Sequence, residues 1–146
     1  MDHTLQRLER GSVLTKLYPK GKPPEKRTFC VRRELRQMIW QLPVAGKNQV
    51  EGLVNFREIK EVRIGRTSKI FEKWQEDAKK WELGQCFVVL YGSSFRLKNV
   101  SCVGKYFHLL LLFTFFYHLF TQCDNNASKR LFHLVDDHQC NYLFLL

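Results

Sequence analysis

Residues Cys86 to Lys98, reading CFVVLYGSSFRLK, restrict the fold more than any other stretch of the chain. Cys86 to Tyr91 is an unbroken apolar run, shorter than an ordinary helix and rich in valine and aromatic residues, which marks a strand buried on both faces. Gly92-Ser93-Ser94 turns the chain, and Phe95-Arg96-Leu97-Lys98 alternates as the partner strand. The unit demands an antiparallel sheet with cover on each side of it.

Further strands precede it. Ser12 to Tyr18 and Lys26 to Arg33 read as two, separated by the Gly and Pro of Lys20-Gly21-Lys22-Pro23-Pro24. Met38-Ile39-Trp40 is a third, closed by Pro43 and a turn at Gly46-Lys47-Asn48. Val50 to Gly65 fits two strands or one bent strand, with Gly52 tolerating a bend or bulge. A helix competes for Phe56 to Val62, whose apolar residues are also spaced by three. About seven short strands predict a mainly β fold, a small antiparallel sandwich or barrel over residues 11–103.

Residues 1–10 are expected to form a lead-in segment with a short helix carrying Leu5 and Leu8, ended by Gly11. The connection from Gly65 to Gly84 is expected to hold one short amphipathic helix bearing Ile70, Phe71 and Trp74, with Ser68 as its cap, and to be the most mobile part of the domain. Phe29, Val31, Ile39, Val54, Ile59, Phe87, Val89, Leu90, Phe95 and Leu97 are the expected core.

Charge is distributed unevenly. Residues 1–105 carry 22 basic and 11 acidic groups, whereas 106–146 carry two and three. The densest stretch, Lys16 to Arg36, has eight Lys or Arg against two Glu, and it is a hairpin. Alternation along its second strand puts Arg27 in the apolar register of Phe29 and Val31, so its guanidinium looks into the mouth of a core. Such an excess favours polyanionic partners, nucleic acid or an anionic membrane face, although a solvated basic loop accounts for the charge equally well.

The five cysteines are scattered and form no CxxC pair, which excludes a disulfide framework or zinc knuckle and fits a reducing compartment. His133, His138 and Cys140 match no zinc spacing, so neither metal nor cofactor is expected. Beyond Gly104 the composition changes. Tyr106 to Phe120 is uncharged for 15 residues, about 22 Å as a helix against a bilayer core of about 30 Å. Residues 104–146 are therefore expected to form an atypical apolar tail, helical where it meets the barrel end or a bilayer, and to make the chain poorly soluble.

The segments EGLVNFREIKEVRIGRTSKIFEKWQED (Glu51 to Asp77) and CFVVLYGSSFRLKNVS (Cys86 to Ser101), with LRQMIWQ before them, resemble the amino-terminal pleckstrin-homology domain of gamma-type phosphoinositide-specific phospholipases C. The resemblance covers roughly Leu5 to Ser101. It implies a seven-stranded fold of two antiparallel sheets closed at one end by a C-terminal helix, and head-group binding at the open end through Lys16, Lys20, Lys22, Lys26 and Arg27. Lys16 and Arg27 are expected to matter most, the loop lysines supplying long-range attraction. Two departures stand out: Glu25 and Tyr18 occupy positions that are basic in strong binders, and nothing after Ser101 resembles the closing helix. The latter implies a truncated or alternative product.

The expected function is a phosphoinositide-binding membrane-recruitment module, cytoplasmic and peripheral to the inner face of the plasma membrane, with signalling proteins as further partners. The alternative is a pleckstrin-fold interaction platform that binds no lipid. Catalysis is not expected, since the parent family's calcium-dependent barrel needs about 200 residues or more. Nucleic-acid binding is not expected either, because no RNA-binding signature is present.

Overall fold

The computed structural model describes residues 2–19, 21–42, 49–93 and 95–105. Lys20, the turn expected at Pro43 to Asn48, and the apolar tail from Tyr106 onward lie outside the described residues. The chain opens with helix α1 (Asp2–Arg10), followed by β1 (Ser12–Leu17), β2 (Glu25–Arg32), β3 (Gln37–Gln41), β4 (Val50–Asn55) and β5 (Ile59–Ile64). Two short helices, α2 (Lys69–Lys73) and α3 (Gln75–Ala78), precede β6 (Cys86–Ser93) and β7 (Arg96–Val103).

The seven strands form one antiparallel sheet in the order β4-β3-β2-β1-β7-β6-β5, in which β1 bonds both β2 and β7. The mainly β, antiparallel architecture expected from the strand count is therefore present, as one continuous seven-stranded sheet rather than the two sheets that the resemblance implies. Every strand contributes to one buried cluster on its inner face, including Leu14, Phe29, Val31, Trp40, Val54, Val62, Phe87 and Val100. That sharing shows the sheet curling round a single core.

The unbroken apolar run of β6 has its explanation here. Phe87 and Val89 enter the inner cluster, while Cys86 and Val88 enter a second cluster on the outer face with Leu17, Phe71, Ala78 and Val103. Helices α2 and α3 supply Phe71 and Ala78 and so cover that face. Ser68 caps α2 as expected, accepting from the Phe71 amide at 3.3 Å. Its hydroxyl also pairs with the fully buried Ser101 at 2.6 Å, so the polar atoms beneath the helix satisfy each other.

At the end of the sheet where β1 begins, α1 places Leu8 in the inner cluster at 3% exposure and pairs Glu9 with Arg33 of the β2–β3 turn at 3.4 Å. Gly11 ends the helix at φ +98°. A side chain there would meet Cys30 Sγ at 2.7 Å, so glycine is needed both for the conformation and for the close approach of α1 to β2. The lead-in helix thus does more than its composition promises.

Several expectations need correction. Phe95 and Leu97, expected in the core, are 101% and 58% exposed. Leu90 is only half-buried. Alternation identifies the faces of a strand but not how far a hairpin overruns the layer that covers it. The Gly65 to Gly84 connection carries two helices, divided at Trp74, instead of one.

Candidate functional site

Antiparallel register fixes what meets at the open end. Lys16 lies opposite Glu25, and Leu14 opposite Arg27, so the inner face of β1 and β2 ends in charged residues just beyond the apolar cluster. Tyr18 follows β1 and is buried to 9% exposure. Its carbonyl accepts from Trp74 Nε1 at 3.0 Å and that of Pro19 accepts from Lys73 Nζ at 2.9 Å, so α2 and the residue after it anchor the start of the β1–β2 connection.

Three cations gather on the Tyr18 ring. Lys16 Nζ stands 3.9 Å from the ring centroid, Lys22 Nζ 4.3 Å and Arg27 Cζ 5.6 Å. Lys16 also lies 5.4 Å from the Trp40 ring, which stacks on Phe29. Aromatic faces attract cations without neutralising them, and Lys22 Nζ is also ion-paired with Glu25 Oε2 at 3.5 Å. Burial lowers the pKa of Lys16, which marks its ammonium as partly stripped of water.

Arg27 is held differently. Its Nε donates to Glu51 Oε2, its NH2 to Glu25 Oε2 at 2.5 Å and its NH1 to the Lys26 carbonyl at 2.8 Å. The side chain is 4% exposed, yet it lies shallow, beneath carboxylates that are themselves 40% and 27% exposed. Tyr18 completes the cluster by donating to Glu51 Oε1 at 2.7 Å. Burial works to raise the pKa of Glu51, but the hydrogen bonds from Tyr18 and Arg27 outweigh it and hold the carboxyl below its ordinary range. The Arg27 hydrogen bond does the same for Glu25. Burial and the Glu51 hydrogen bond together raise the pKa of the Tyr18 phenol.

Glu51 reaches this position through a bulge. Trp40 pairs with Gly52 and Gln41 with Val50, so Glu51 is the extra residue on β4. Regular alternation would send it to the outer face with the exposed Leu53; the bulge turns it toward Arg27. Gly52 makes room for the indole, since a Cβ there would stand 2.2 Å from Trp40 Cζ2.

Of the five residues expected from the sequence, Lys16, Lys22 and Arg27 come together. Lys26 is exposed on the opposite face of β2 from Arg27, and Lys20 lies outside the described residues. Sequence reasoning missed Glu51 as the partner of Arg27, being 24 residues distant, and Tyr18 as the platform for the cations. Gly52 was the available signal, because a glycine in a strand opposite a tryptophan marks a bulge or a close approach. The cluster can recognise an anion; among its members there is no nucleophile activated by a general base.

No protein-family model matches the chain. Human 1-phosphatidylinositol 4,5-bisphosphate phosphodiesterase gamma-2 is 37% identical over 94 residues, covering 64% of this chain and 7% of the relative. The rat protein of the same name is 35% identical over an equal span. The match thus occupies a small fraction of either relative's length. Among solved structures, PLC21 of L. pealei superposes with a TM-score of 0.54 at 13% identity, covering 78% of this chain and 16% of that one. PLC21 of S. officinalis gives 0.51 at 14%, covering 68% and 13%. Inner Membrane Complex Sub-compartment Protein 3 of Toxoplasma gondii gives 0.52 at 14%, covering 88% and 82%. At these identities the structures speak to the fold.

Proposed function

We propose, on the premise that the chain carries a pleckstrin-homology-like domain related to the gamma-type phosphoinositide phospholipases C, that this domain recruits the protein to membranes by recognising inositol phospholipids at its open end. The observation that carries the reading is the convergence of Lys16, Lys22 and Arg27 on the Tyr18 ring. A headgroup phosphate bears more than one negative charge and draws charge-assisted hydrogen bonds from Lys16 and Lys22. Lys26, with Lys20, adds long-range attraction from a chain of net charge +10. Arg27 donates to phosphate when Glu25 or Glu51 gives way. On this reading the domain contributes binding and not hydrolysis, works from the cytoplasm at the inner face of the plasma membrane, and serves phosphoinositide and calcium signalling beside other signalling proteins.

A second reading, a pleckstrin-fold platform that binds no headgroup, is favoured by one observation: three hydrogen bonds already commit Arg27 within the protein. Vesicle sedimentation separates the two. The first reading expects the chain to pellet with phosphatidylcholine vesicles containing phosphatidylinositol 3,4,5-trisphosphate and to lose that preference in Lys16→Met. Equal pelleting on neutral and phosphoinositide vesicles eliminates headgroup recognition and leaves the platform.

A further inference from the structure

The end of β2 and β3 remote from Tyr18 carries a second concentration of positive charge, of a different kind. Residues 7–11, 32–36 and 57–58 hold six Arg, three Glu and no Lys, whereas the basic groups expected at the open end are Lys16, Lys20, Lys22, Lys26 and a single Arg. The fold draws the three stretches together. Glu9 of α1 pairs with Arg33 at 3.4 Å, and the Arg36 amide donates to the Arg33 carbonyl at 3.1 Å. The Phe56 amide donates to the Arg36 carbonyl at 2.9 Å, which ties the β2–β3 turn to the 3-10 turn Phe56–Glu58. The 8 residues of β2 separate this end from the open one, about 23 Å of extended chain.

Folding alone does not account for the residues of the β2–β3 turn. Arg36 sits at φ +52°, and among the described residues it is the one non-glycine at a positive φ. Glycine or asparagine would take that conformation with less strain, so an arginine there is kept for its side chain. Leu35 beside it is 58% exposed. Arg10, Arg32, Arg36 and Arg57 are all exposed, and among the described residues no carboxylate lies within ion-pair distance of them. A rigid turn thus presents one apolar side chain amid guanidinium groups that pair with no carboxylate among the described residues.

We infer that Arg10, Arg32, Arg36 and Arg57, with Leu35 among them, form a docking surface for an acidic protein segment whose carboxylates pair with the guanidinium groups and whose apolar side chain covers Leu35. The choice of arginine over lysine selects a protein. A guanidinium is planar, weakly hydrated and matched to the two oxygens of a carboxylate, and arginine is enriched where lysine is depleted at protein interfaces. None of the three stretches contains an aromatic residue on which a nucleic-acid base could stack. On the proposed headgroup reading, a bilayer at the open end lies about 23 Å from these arginines, beyond a Debye length of about 8 Å. The domain then holds a membrane at one end and an acidic partner at the other.

The experiment uses the full chain, without lipid, to select from a displayed library of random peptides, with counter-selection on the Arg36→Glu/Arg57→Glu chain. The selected peptides are expected to be rich in Asp and Glu around one large apolar residue. A fluorescein-labelled copy should bind the double variant about tenfold more weakly, the scale of losing arginines central to an interface. It should bind Leu35→Ser more weakly too, and Lys16→Met as well as the wild type. Arg36→Gly relieves the backbone and removes the guanidinium, so it should lower peptide affinity severalfold with the thermal midpoint unchanged or raised. A selection that yields no peptide able to tell the wild type from the double variant would overturn the docking surface, as would selected peptides with no acidic excess. Phosphatidylserine vesicles or a single-stranded RNA bound through the same arginines more tightly than the peptide would overturn the choice of a protein partner. Peptide binding of the expected kind in a chain with no preference for phosphoinositide vesicles would sink the headgroup reading and leave the docking surface standing.

Discussion

Beneath α2 and α3, the outer face of the sheet buries Phe71, Ala78, Cys86 and Val88 around one satisfied polar pair, Ser68 with Ser101. At the open end of the inner face, three cations and two carboxylates surround Tyr18, and the apolar contact is aromatic. The outer face gains stability from removing apolar area from water, which has no directional requirement. The open end gains little that way and keeps its charges near solvent, where they can be exchanged for others. One region holds the sheet together, and the other retains groups whose best partners are negotiable.

The sharpest way to break this comparison is Phe71→Ala. Removing a ring that is 1% exposed should cost about 3–5 kcal/mol, a large part of a domain's total of about 5–15 kcal/mol. Denaturant unfolding would measure it, and the folded fraction should keep its vesicle preference. A loss no larger than that of a surface substitution would mean that α2 is not structurally committed to the sheet.

Gly52→Ala comes next and probes the seam between the regions. The added methyl meets Trp40 at 2.2 Å, so the indole or the bulge must move, at about 1–3 kcal/mol. Because the bulge aims Glu51, the substitution should also loosen the Arg27 contact and alter anion binding, which Phe71→Ala should not do.

How much of this could be read in advance follows the same division. The strands and the α2 cap were legible because each rests on local chemistry, apolar period and a serine before a helix, whereas the turn expected at Gly92 to Ser94 was placed too early, since β6 runs through Ser93 and pairs Gly92 with Leu97. The double burial was legible for Cys86 to Val89 on the same local grounds, but not its fading at Leu90 and Tyr91. Phe95 was misread as core, since alternation carries no information on where a covering layer stops. The resemblance singled out Arg27 but could not reveal that Glu51 reaches it, because that pairing depends on a one-residue bulge in a strand 24 residues away. Leu8 looked incidental in a polar segment, and only its packing gives it weight.

Smaller effects refine the open end. Burial lowers the Lys16 pKa, so the folded state holds that proton less tightly than the unfolded chain and the charged form opposes folding at neutral pH. Lys16→Met should therefore raise the thermal midpoint slightly while weakening phosphoinositide binding; calorimetry beside sedimentation would detect the opposed changes.

Acid should act on the carboxylates with the reverse sign. Glu25 and Glu51 have folded pKa values below ordinary, so their stabilisation is complete above the unfolded value of about 4.3 and is lost as pH falls through the folded values. The thermal midpoint should lose less below about pH 4 in Glu51→Gln than in the parent, as a pH series of melting curves would record.

The central claim is that the open end is an anion site whose arginine is engaged by the protein's own carboxylates. Its most direct test is the affinity of the Glu25→Gln/Glu51→Gln double variant for phosphatidylinositol 3,4,5-trisphosphate vesicles, measured beside phosphatidylserine vesicles of equal surface charge. Releasing Arg27 should tighten phosphoinositide binding severalfold and by more than it tightens phosphatidylserine binding. An equal gain on both surfaces, or no gain on either, would contradict the account.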